Sequence, residues 1–152
     1  MPKMTGDEAR ERFDRARSAT LATADAAGRP HLVPVTFAVG SPPVPDDGGR
    51  DVLVFAVDHK PKRSQRLRRL ANIRANPAVS LLVDAYDEDW ERLWWARADG
   101  TGRVLPPPAR SPLAARYVEL LARRYSRQYG PRPPQGPVVE IAVQRWTGWR
   151  AT

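Results

Sequence analysis

Short apolar runs separated by turn residues are the feature of this sequence that most restricts its fold. The run at 19–24 is followed by Asp25-Ala26-Ala27-Gly28 and by a return run at 31–39. Because glycine can take the positive φ of a tight hairpin, we predict that these two runs pair antiparallel. Further runs bring the predicted strands to about six, and they lie at 52–57, 78–83, 93–100 and 138–146.

Helical segments lie between these runs without alternating regularly with them. We predict a first helix over Glu8–Arg17 with Thr5 as its N-cap, and a helix at Ser111–Tyr125 capped by Ser111. A basic helix follows the run at 52–57 and ends at Asn76-Pro77, since proline disfavours helix before it. This order favours an antiparallel barrel with added helices over a doubly wound parallel sheet.

Two strand features are unusual. Pro34 lies inside the return run, and proline cannot donate to a ladder, so we expect an edge, a bulge or a place where something approaches the backbone. An ordinary edge strand and a ligand contact are equally good interpretations. Gly100-Thr101-Gly102 indicates a bulge or turn before 103–105.

The composition restricts the class of protein. With 152 residues, the chain suits one domain over 1–152, and it contains no cysteine, which excludes disulfides and thiolate metal sites. No run approaches the about 20 apolar residues of a membrane span, and the first residues lack the apolar centre of a signal peptide. We therefore expect a cytoplasmic protein with no membrane partner.

The net charge of +8 is carried mostly by arginine. Such a balance attracts nucleic acids and phosphorylated small molecules. We expect no nucleic-acid partner, because the cations are not interleaved with aromatic residues as in a base-stacking platform, and because an arginine-rich, alanine-rich chain indicates a GC-rich genome.

A cluster of cations follows the run at 52–57. Lys60, Lys62 and Arg63 precede or begin the basic helix. The first N–H groups of a helix are unpaired and its dipole is positive there, so added cations are unfavourable at this end. They are tolerated if water solvates them, and they are useful if a phosphate binds between them and the helix. A phosphorylated cofactor is one interpretation, and a solvated charged face is the other.

Sequence motifs of other catalytic classes are missing. The chain has no Walker loop, no GxGxxG after a strand and no nucleophile elbow, and His31 and His59 alone do not make a closed zinc site. We therefore expect no metal, and we identify no catalytic acid or base. An enzyme of this kind can leave the chemistry to a cofactor.

Five tryptophans are many for this length, and most of them lie near predicted strand ends. Packing in the core or in a dimer is the favoured interpretation, and stacking on a flat heterocycle is the alternative.

Several segments together resemble one known family. They include Gly28-Arg29-Pro30-His31-Leu32-Val33-Pro34-Val35, Lys60-Pro61-Lys62-Arg63 and Asn76-Pro77-Ala78-Val79-Ser80, and they continue through 89–100 to 145–149. The chain resembles the flavin and deazaflavin proteins of the pyridoxamine 5'-phosphate oxidase type, and more narrowly their branch that uses coenzyme F-420. The resemblance implies a mainly β, six-stranded antiparallel split β-barrel with flanking helices.

The resemblance also implies a homodimer with two cofactor sites at the subunit interface. The phosphate-bearing tail would meet Lys60, Lys62, Arg63 and Arg69, and the ring would lie against the backbone of Pro34-Val35-Thr36. A tryptophan of the partner subunit, Trp95 or Trp149, would close the site.

True pyridoxamine-phosphate oxidases carry an Arg and a Lys on the second strand, where this chain has Val33 and Ala38. This departure argues against oxidation of pyridoxamine phosphate. We expect an oxidoreductase that uses F-420 for hydride transfer to a small conjugated substrate. The alternatives are an FMN-binding oxidoreductase of the same fold and a non-enzymatic cofactor-binding or tetrapyrrole-binding protein.

Overall fold

The computed structural model describes residues 3–40, 50–57 and 63–152, with the side chains of 63–67 left out. Seven strands form one antiparallel sheet in the order β2-β1-β5-β6-β7-β4-β3. The strands are β1 (Ala19–Ala24), β2 (Pro30–Val35), β3 (Ala38–Gly40), β4 (Val52–Ala56), β5 (Ala78–Ala85), β6 (Trp94–Leu105) and β7 (Val138–Arg150). The helices are α1 (Gly6–Arg15), α2 (Arg63–Ala75), α3 (Pro112–Arg124) and α4 (Ser126–Tyr129).

The two outermost strands of this sheet are neighbours in the chain. Only Thr36 and Phe37 separate β2 from β3, so the ends of the sheet lie within about 11 Å of each other. The sheet must therefore curl round on itself. Within the described residues no ladder joins β2 to β3, which leaves the barrel split at this point. The predicted class, a mainly β antiparallel split barrel with flanking helices, is confirmed.

The barrel interior is the larger of two cores. Inward-facing residues of every strand meet there, among them Leu21, Phe55 and Ile141. Phe13 of α1 is fully buried and packs edge-on against Phe37 and Trp146, with ring centroids 5.7 and 5.2 Å apart. From α2, Leu70 and Ile73 are buried in the same core. The amphipathic faces of α1 and α2 thus close the barrel.

The second core lies between α3 and the outside of β3, β4 and β7. Val52 and Val54 alternate with the inward residues of β4 and pack outward against Tyr117 and Leu121 of α3. Glu140 of β7 is also buried here, where it accepts hydrogen bonds from Tyr117 Oη at 2.5 Å and from Arg103 Nε at 2.7 Å. Apolar packing and the hydrogen bond from Tyr117 to Glu140 therefore hold α3 against the sheet.

Local signals in the sequence agree with the elements. Thr5 Oγ1 accepts from the Glu8 N–H, and Ser111 Oγ accepts from the Ala114 N–H, each at 3.1 Å, as predicted for the two N-caps. Gly28 has a φ of 82° in the hairpin between β1 and β2, which confirms the predicted turn. Pro34 lies in β2, an outermost strand, as the edge interpretation expects.

Several strand boundaries differ from the sequence prediction; among them, β5 ends at Ala85 instead of 83. The run at 31–39 divides into β2 and β3, which raises the count from about six strands to seven. At Gly100-Thr101-Gly102 the predicted bulge is present and the alternative turn is not: β6 continues through this segment with a register shift between Asp99 and Gly100, where a Cβ on Gly100 would overlap the carbonyl oxygen of Ala142. The last strand continues to Arg150 instead of stopping at 146, because it pairs with β6 along its whole length.

None of the helices in the described ranges combines the length and apolar character needed to cross a membrane.

Candidate functional site

A cavity of about 520 Å³ lies at the split in the barrel. Pockets for small molecules and cofactors commonly have this size. Its walls come from the end of β2, the end of β4, the link before β1, α2 and the α3–α4 junction. The lining residues are Arg17, Pro34, Val35, Thr36, Phe55, Ala56, Arg69, Tyr125, Gln128 and Tyr129.

Tyr125 shapes the floor of this cavity. Its ring is buried, and its hydroxyl accepts from the Phe37 N–H at 3.1 Å. The same hydroxyl lies 3.0 Å from the carbonyl oxygens of Arg17 and Phe37, to one of which it donates its single proton. The link between β2 and β3 is therefore tied to the end of α3 and to the link before β1.

Arg124 strengthens the same junction. Its guanidinium donates to the carbonyl oxygens of Asp14 at 2.8 Å, of Phe13 at 3.2 Å and of Ala16. These carbonyls lie at the end of α1, where the carbonyl groups run out of helical N–H partners; the Phe13 carbonyl also accepts from the N–H of the C-cap residue Ala16 at 3.1 Å. The cation also lies 5.2 Å from the centroid of the Phe37 ring. The last residue of α3, Arg124, and the following residue, Tyr125, thus position the polypeptide at the split.

A polar wall faces the end of β2. The hydroxyls of Thr36 and Tyr129 are 3.0 Å apart and share a hydrogen bond. Tyr129 also packs edge-on against Tyr125, with centroids 5.8 Å apart. Because Thr36 is exposed and Pro34 carries no backbone N–H, this end of the strand presents carbonyl and hydroxyl oxygens together with flat apolar surface.

Arg69 brings positive charge to the opposite wall. Its guanidinium carbon lies 5.8 Å from the centroid of the Phe55 ring, within range of a cation–π interaction. Three positions further along α2, Asn72 is buried and donates from Nδ2 to Thr23 Oγ1 of β1 at 3.1 Å. Since residues three apart share a helix face, this bond sets the rotation of α2 that presents Arg69 to the cavity.

Four of the predicted cofactor-binding residues meet in this one cavity, namely Pro34, Val35, Thr36 and Arg69. Their contact with a cofactor stays a prediction. Lys60 and Lys62 lie outside the described residues. Arg63 begins α2, and its side chain is also outside them.

Trp95 and Trp149 lie elsewhere in the chain. They oppose each other on β6 and β7 and do not line the cavity. Their predicted action from a partner subunit stays a prediction.

Sequence reasoning did not identify Arg17, Phe55, Tyr125, Gln128 and Tyr129 as cavity residues. Tyr125 and Tyr129 are four positions apart, which is a weak signal for a shared helical face. Tyrosine at that spacing is ordinary core packing, and only the fold brings the end of α3 to the end of β2.

The described cavity residues include no aspartate, glutamate or histidine. Arg17 stacks over Tyr125, with its guanidinium carbon 5.0 Å from the ring centroid. The cavity therefore combines two cations, two tyrosine hydroxyls and flat aromatic surface. This set of groups can bind a planar ring that carries negative charge, and it supplies no carboxylate base.

On the outer face of β5, β6 and β7, a carboxylate is held among cations. Asp99 accepts from Ser80 Oγ at 2.6 Å, and Arg97 Nε and Arg145 lie 3.1 and 3.3 Å from its oxygens. Burial by itself would raise the pKa of Asp99, but the Ser80 hydrogen bond and the two guanidinium groups outweigh it, so the pKa lies below its ordinary value.

The family model for pyridoxamine 5'-phosphate oxidase matches residues 5–150. The chain belongs to this family. The match spans all seven strands of the split barrel and both walls of the cavity. No curated protein matches the chain.

Three solved structures share the fold at less than 25% sequence identity. A conserved hypothetical protein from Mycobacterium tuberculosis is 23% identical with a TM-score of 0.66, covering 97% of this chain and 86% of that chain. An FAD-binding protein from Mesorhizobium loti is 19% identical with a TM-score of 0.64, covering 97% and 93%. HutZ, the heme storage protein from Vibrio cholerae, is 15% identical with a TM-score of 0.63, covering 95% and 92%. At these identities the likeness shows the fold.

Proposed function

We propose that this protein is an oxidoreductase that binds a flavin-type cofactor in the cavity at the split, and that the cofactor is the deazaflavin F-420. The observation that carries the proposal is the meeting of Pro34, Val35, Thr36 and Arg69 in one cavity of about 520 Å³. Family membership supports a cofactor of this class, and two of the structural neighbours, from M. loti and Mycobacterium smegmatis, are FAD-binding proteins.

The residues present fit a planar ring with an anionic tail. Phe55 and Tyr125 are buried at the base of the cavity, while the exposed Pro34 and the half-buried Tyr129 supply accessible surface, and the β2 end supplies oxygen atoms at the edge of that surface. Arg17 and Arg69 supply charge that attracts phosphate or carboxylate. Lys60, Lys62 and Arg63 follow β4, whose last residues line the cavity, so a long anionic tail could extend toward them.

Two positions support the proposal of F-420 over FMN. Val33 packs against the barrel core and Ala38 is buried under α3, so neither position can present a cation to a cofactor phosphate. The cavity's cations lie instead on α2 and on the link before β1, as Arg69 and Arg17, and further cations precede α2 in the sequence. This placement favours a cofactor whose negative charge extends beyond a single phosphate, as the polyglutamate tail of F-420 does.

A bound deazaflavin or flavin supplies hydride transfer at its ring. The chain's own residues bind, orient and shield: Arg69 attracts the anionic part, Thr36 and Tyr129 offer hydroxyls, and the buried Tyr125 holds the strand link in place. The described cavity residues include no carboxylate that could act as an acid or base, in agreement with a reaction whose chemistry the cofactor supplies.

We also propose that the active form is a homodimer that meets on the outer face of β1, β2 and β5. Leu32 of β2 is 64% exposed and Leu82 of β5 is 38% exposed on this face. Trp95 and Trp149 lie on the same face of the sheet through the pairing of β5, β6 and β7. A partner here would cover Leu32 and border the cavity at Pro34.

Titration of the purified protein with F-420, FMN and FAD, followed by fluorescence and calorimetry, tests the proposal. We expect F-420 to bind more tightly than FMN. Replacing Arg69 with Gln should weaken binding by about 1.5–3 kcal/mol, because it removes a charged hydrogen-bond donor. The matched control is Arg68→Gln, which removes the same charge from the preceding position of α2, a position that is exposed and lies outside the cavity.

Equal or absent binding of F-420 and FMN would contradict the F-420 assignment. Tight FMN binding with flavin absorbance in the purified protein would favour the FMN alternative. A parallel titration with hemin examines the tetrapyrrole alternative, for which HutZ is the structural precedent.

A further inference from the structure

A second cavity, of about 420 Å³, lies beside the proposed cofactor cavity. Arg17 and Pro34 line both cavities, so the two are separated only by the end of β2 and the link before β1. The second cavity is bounded by the last turn of α1, by β5 and by Trp94 at the start of β6. A molecule bound in it would lie next to a ring held against Pro34.

Positive charge is concentrated in this second cavity. Arg12, Arg15 and Arg17 all line it. Arg15 forms an ion pair with Glu11 at 3.0 Å, which neutralises it. Within the described ranges, Arg12 and Arg17 form no ion pair with a carboxylate, and Asp84 is the cavity's one acidic residue there. The balance suits a ligand with one negative charge.

These arginines are not needed to end the helix. Cations near the C-terminus of a helix often bind its last carbonyl groups. Here Arg124 of α3 donates to the carbonyls of Phe13, Asp14 and Ala16. The Arg12 carbonyl accepts from the Ala16 N–H at 3.1 Å. The guanidinium groups of Arg12 and Arg17 are therefore available to a ligand.

The cavity also offers flat and apolar surface. The guanidinium carbon of Arg12 lies 4.6 Å from the centroid of the Trp94 ring, within range of a cation–π interaction. Leu82 lines the same cavity and is 38% exposed. A planar apolar group can pack there while its charged end meets Arg12.

From these observations we infer that the second cavity is the substrate subsite, and that it takes a planar aromatic or heteroaromatic carboxylate. The role as a substrate subsite rests on the proposed cofactor function. The selection for a monoanion rests on the residues of the second cavity alone. Arg12 is the residue that recognises the charge, Trp94 and Leu82 hold the ring, and Arg17 joins the two sites.

The test compares 2-naphthoate with its neutral isostere 2-naphthamide by calorimetry, using the full chain with and without bound F-420 or FMN. Wild-type protein should bind the carboxylate about tenfold more tightly than the amide, since one charged hydrogen bond is gained. Arg12→Gln should remove this preference without changing amide affinity or cofactor affinity. Arg12→Lys should retain part of it.

Arg123→Gln is the matched control, because Arg123 is exposed on α3 and lines neither cavity. The thermal midpoint of each variant reports whether it folds. Equal affinity for the carboxylate and the amide, or equal behaviour of Arg12→Gln and Arg123→Gln, overturns the subsite while leaving the cofactor proposal intact. Failure of every cofactor to bind, with the carboxylate preference kept, overturns the proposed function and the substrate role instead.

Discussion

The hydroxyl of Tyr125 accepts a hydrogen bond from the backbone N–H of Phe37, 88 positions earlier in the chain, at 3.1 Å. This contact joins the end of α3 to the two-residue link between the outermost strands of the sheet. It lies at the split in the barrel and under the cavity that gathers the predicted cofactor residues. Stability and cofactor binding should therefore depend on the same hydroxyl.

Replacing Tyr125 with Phe should destabilise the protein by about 1–3 kcal/mol, because the buried Phe37 N–H loses its partner. Cofactor affinity should fall as well, since the Thr36–Phe37 link is no longer held. Urea denaturation and cofactor titration measure the two effects. Tyr86→Phe is the control, because Tyr86 is 76% exposed. A Tyr125→Phe variant with the stability and cofactor affinity of the wild type would contradict the role given to this hydroxyl.

The buried pair of Asn72 and Thr23 should behave as a coupled unit. Asn72→Ala and Thr23→Val each leave one buried polar group without its partner and should each cost about 1–3 kcal/mol. The double variant should cost less than the sum, because both polar groups are then gone. A double-mutant cycle in urea measures this coupling. Additive losses would show that the two residues act independently.

The same cycle should also be visible in cofactor binding. If the Asn72–Thr23 hydrogen bond orients α2, Asn72→Ala should weaken the binding of a cofactor that depends on Arg69. In a variant that already carries Arg69→Gln, Asn72→Ala should change cofactor affinity little. Titration of the single and double variants provides the comparison. An equal effect of Asn72→Ala in both backgrounds would separate the bond from Arg69.

Asp99 predicts the direction of one pH effect. Its pKa in the folded protein lies below the ordinary value of 3.8, so its ionisation stabilises the folded state at pH values above 3.8. This contribution should be lost as the pH falls below 3.8 through the folded-state pKa. Wild type should therefore exceed Asp99→Asn in stability at pH 7, and the difference should shrink toward pH 3.

Denaturation of both proteins at fixed concentration across that range gives the measurement. Glu119→Gln serves as the control, since Glu119 is an exposed carboxylate of α3 with no ion pair to any described residue. A stability difference between wild type and Asp99→Asn that stays constant down to pH 3 would contradict the assigned pKa.

Leu32→Asp tests the proposed dimer face. A charged side chain at this exposed apolar position should weaken association, because desolvating an unpaired carboxylate at an interface is unfavourable. Light scattering coupled to size-exclusion chromatography should show a shift toward the monomer. Ala109→Asp places the same charge at an exposed position before α3 and should not shift the mass. A monomeric wild type would remove the proposal.

Much of the secondary structure could be predicted because its causes are local. The caps at Thr5 and Ser111, the positive φ of Gly28 and the apolar runs of β1, β4 and β5 each depend on neighbouring residues. The strand ends were less predictable. Thr36 and Phe37 read as part of one strand, and only the curling of the sheet makes them the link across the split.

The candidate site was partly predictable for the same reason. Pro34 stands out as a proline inside a strand, whereas Val35, Thr36 and Arg69 were predicted as cofactor residues through the resemblance to the family. Tyr125, Tyr129 and Arg17 do not stand out, because their importance comes from contacts more than 80 positions away in sequence, such as Tyr129 with Thr36 and Tyr125 with Phe37.

By itself the sequence determined the antiparallel class, the two helix N-caps, the hairpin and the cluster of cations, since each follows from short-range sterics, periodicity or charge; the bounds of α1, predicted as Glu8–Arg17 and found as Gly6–Arg15, were two residues off. The tertiary structure decided where the sheet splits, which side of α2 faces inward and which aromatic residues reach the cavity. These depend on how a curled sheet and its closing helices share one interior, and residues far apart in the chain must meet before that packing exists.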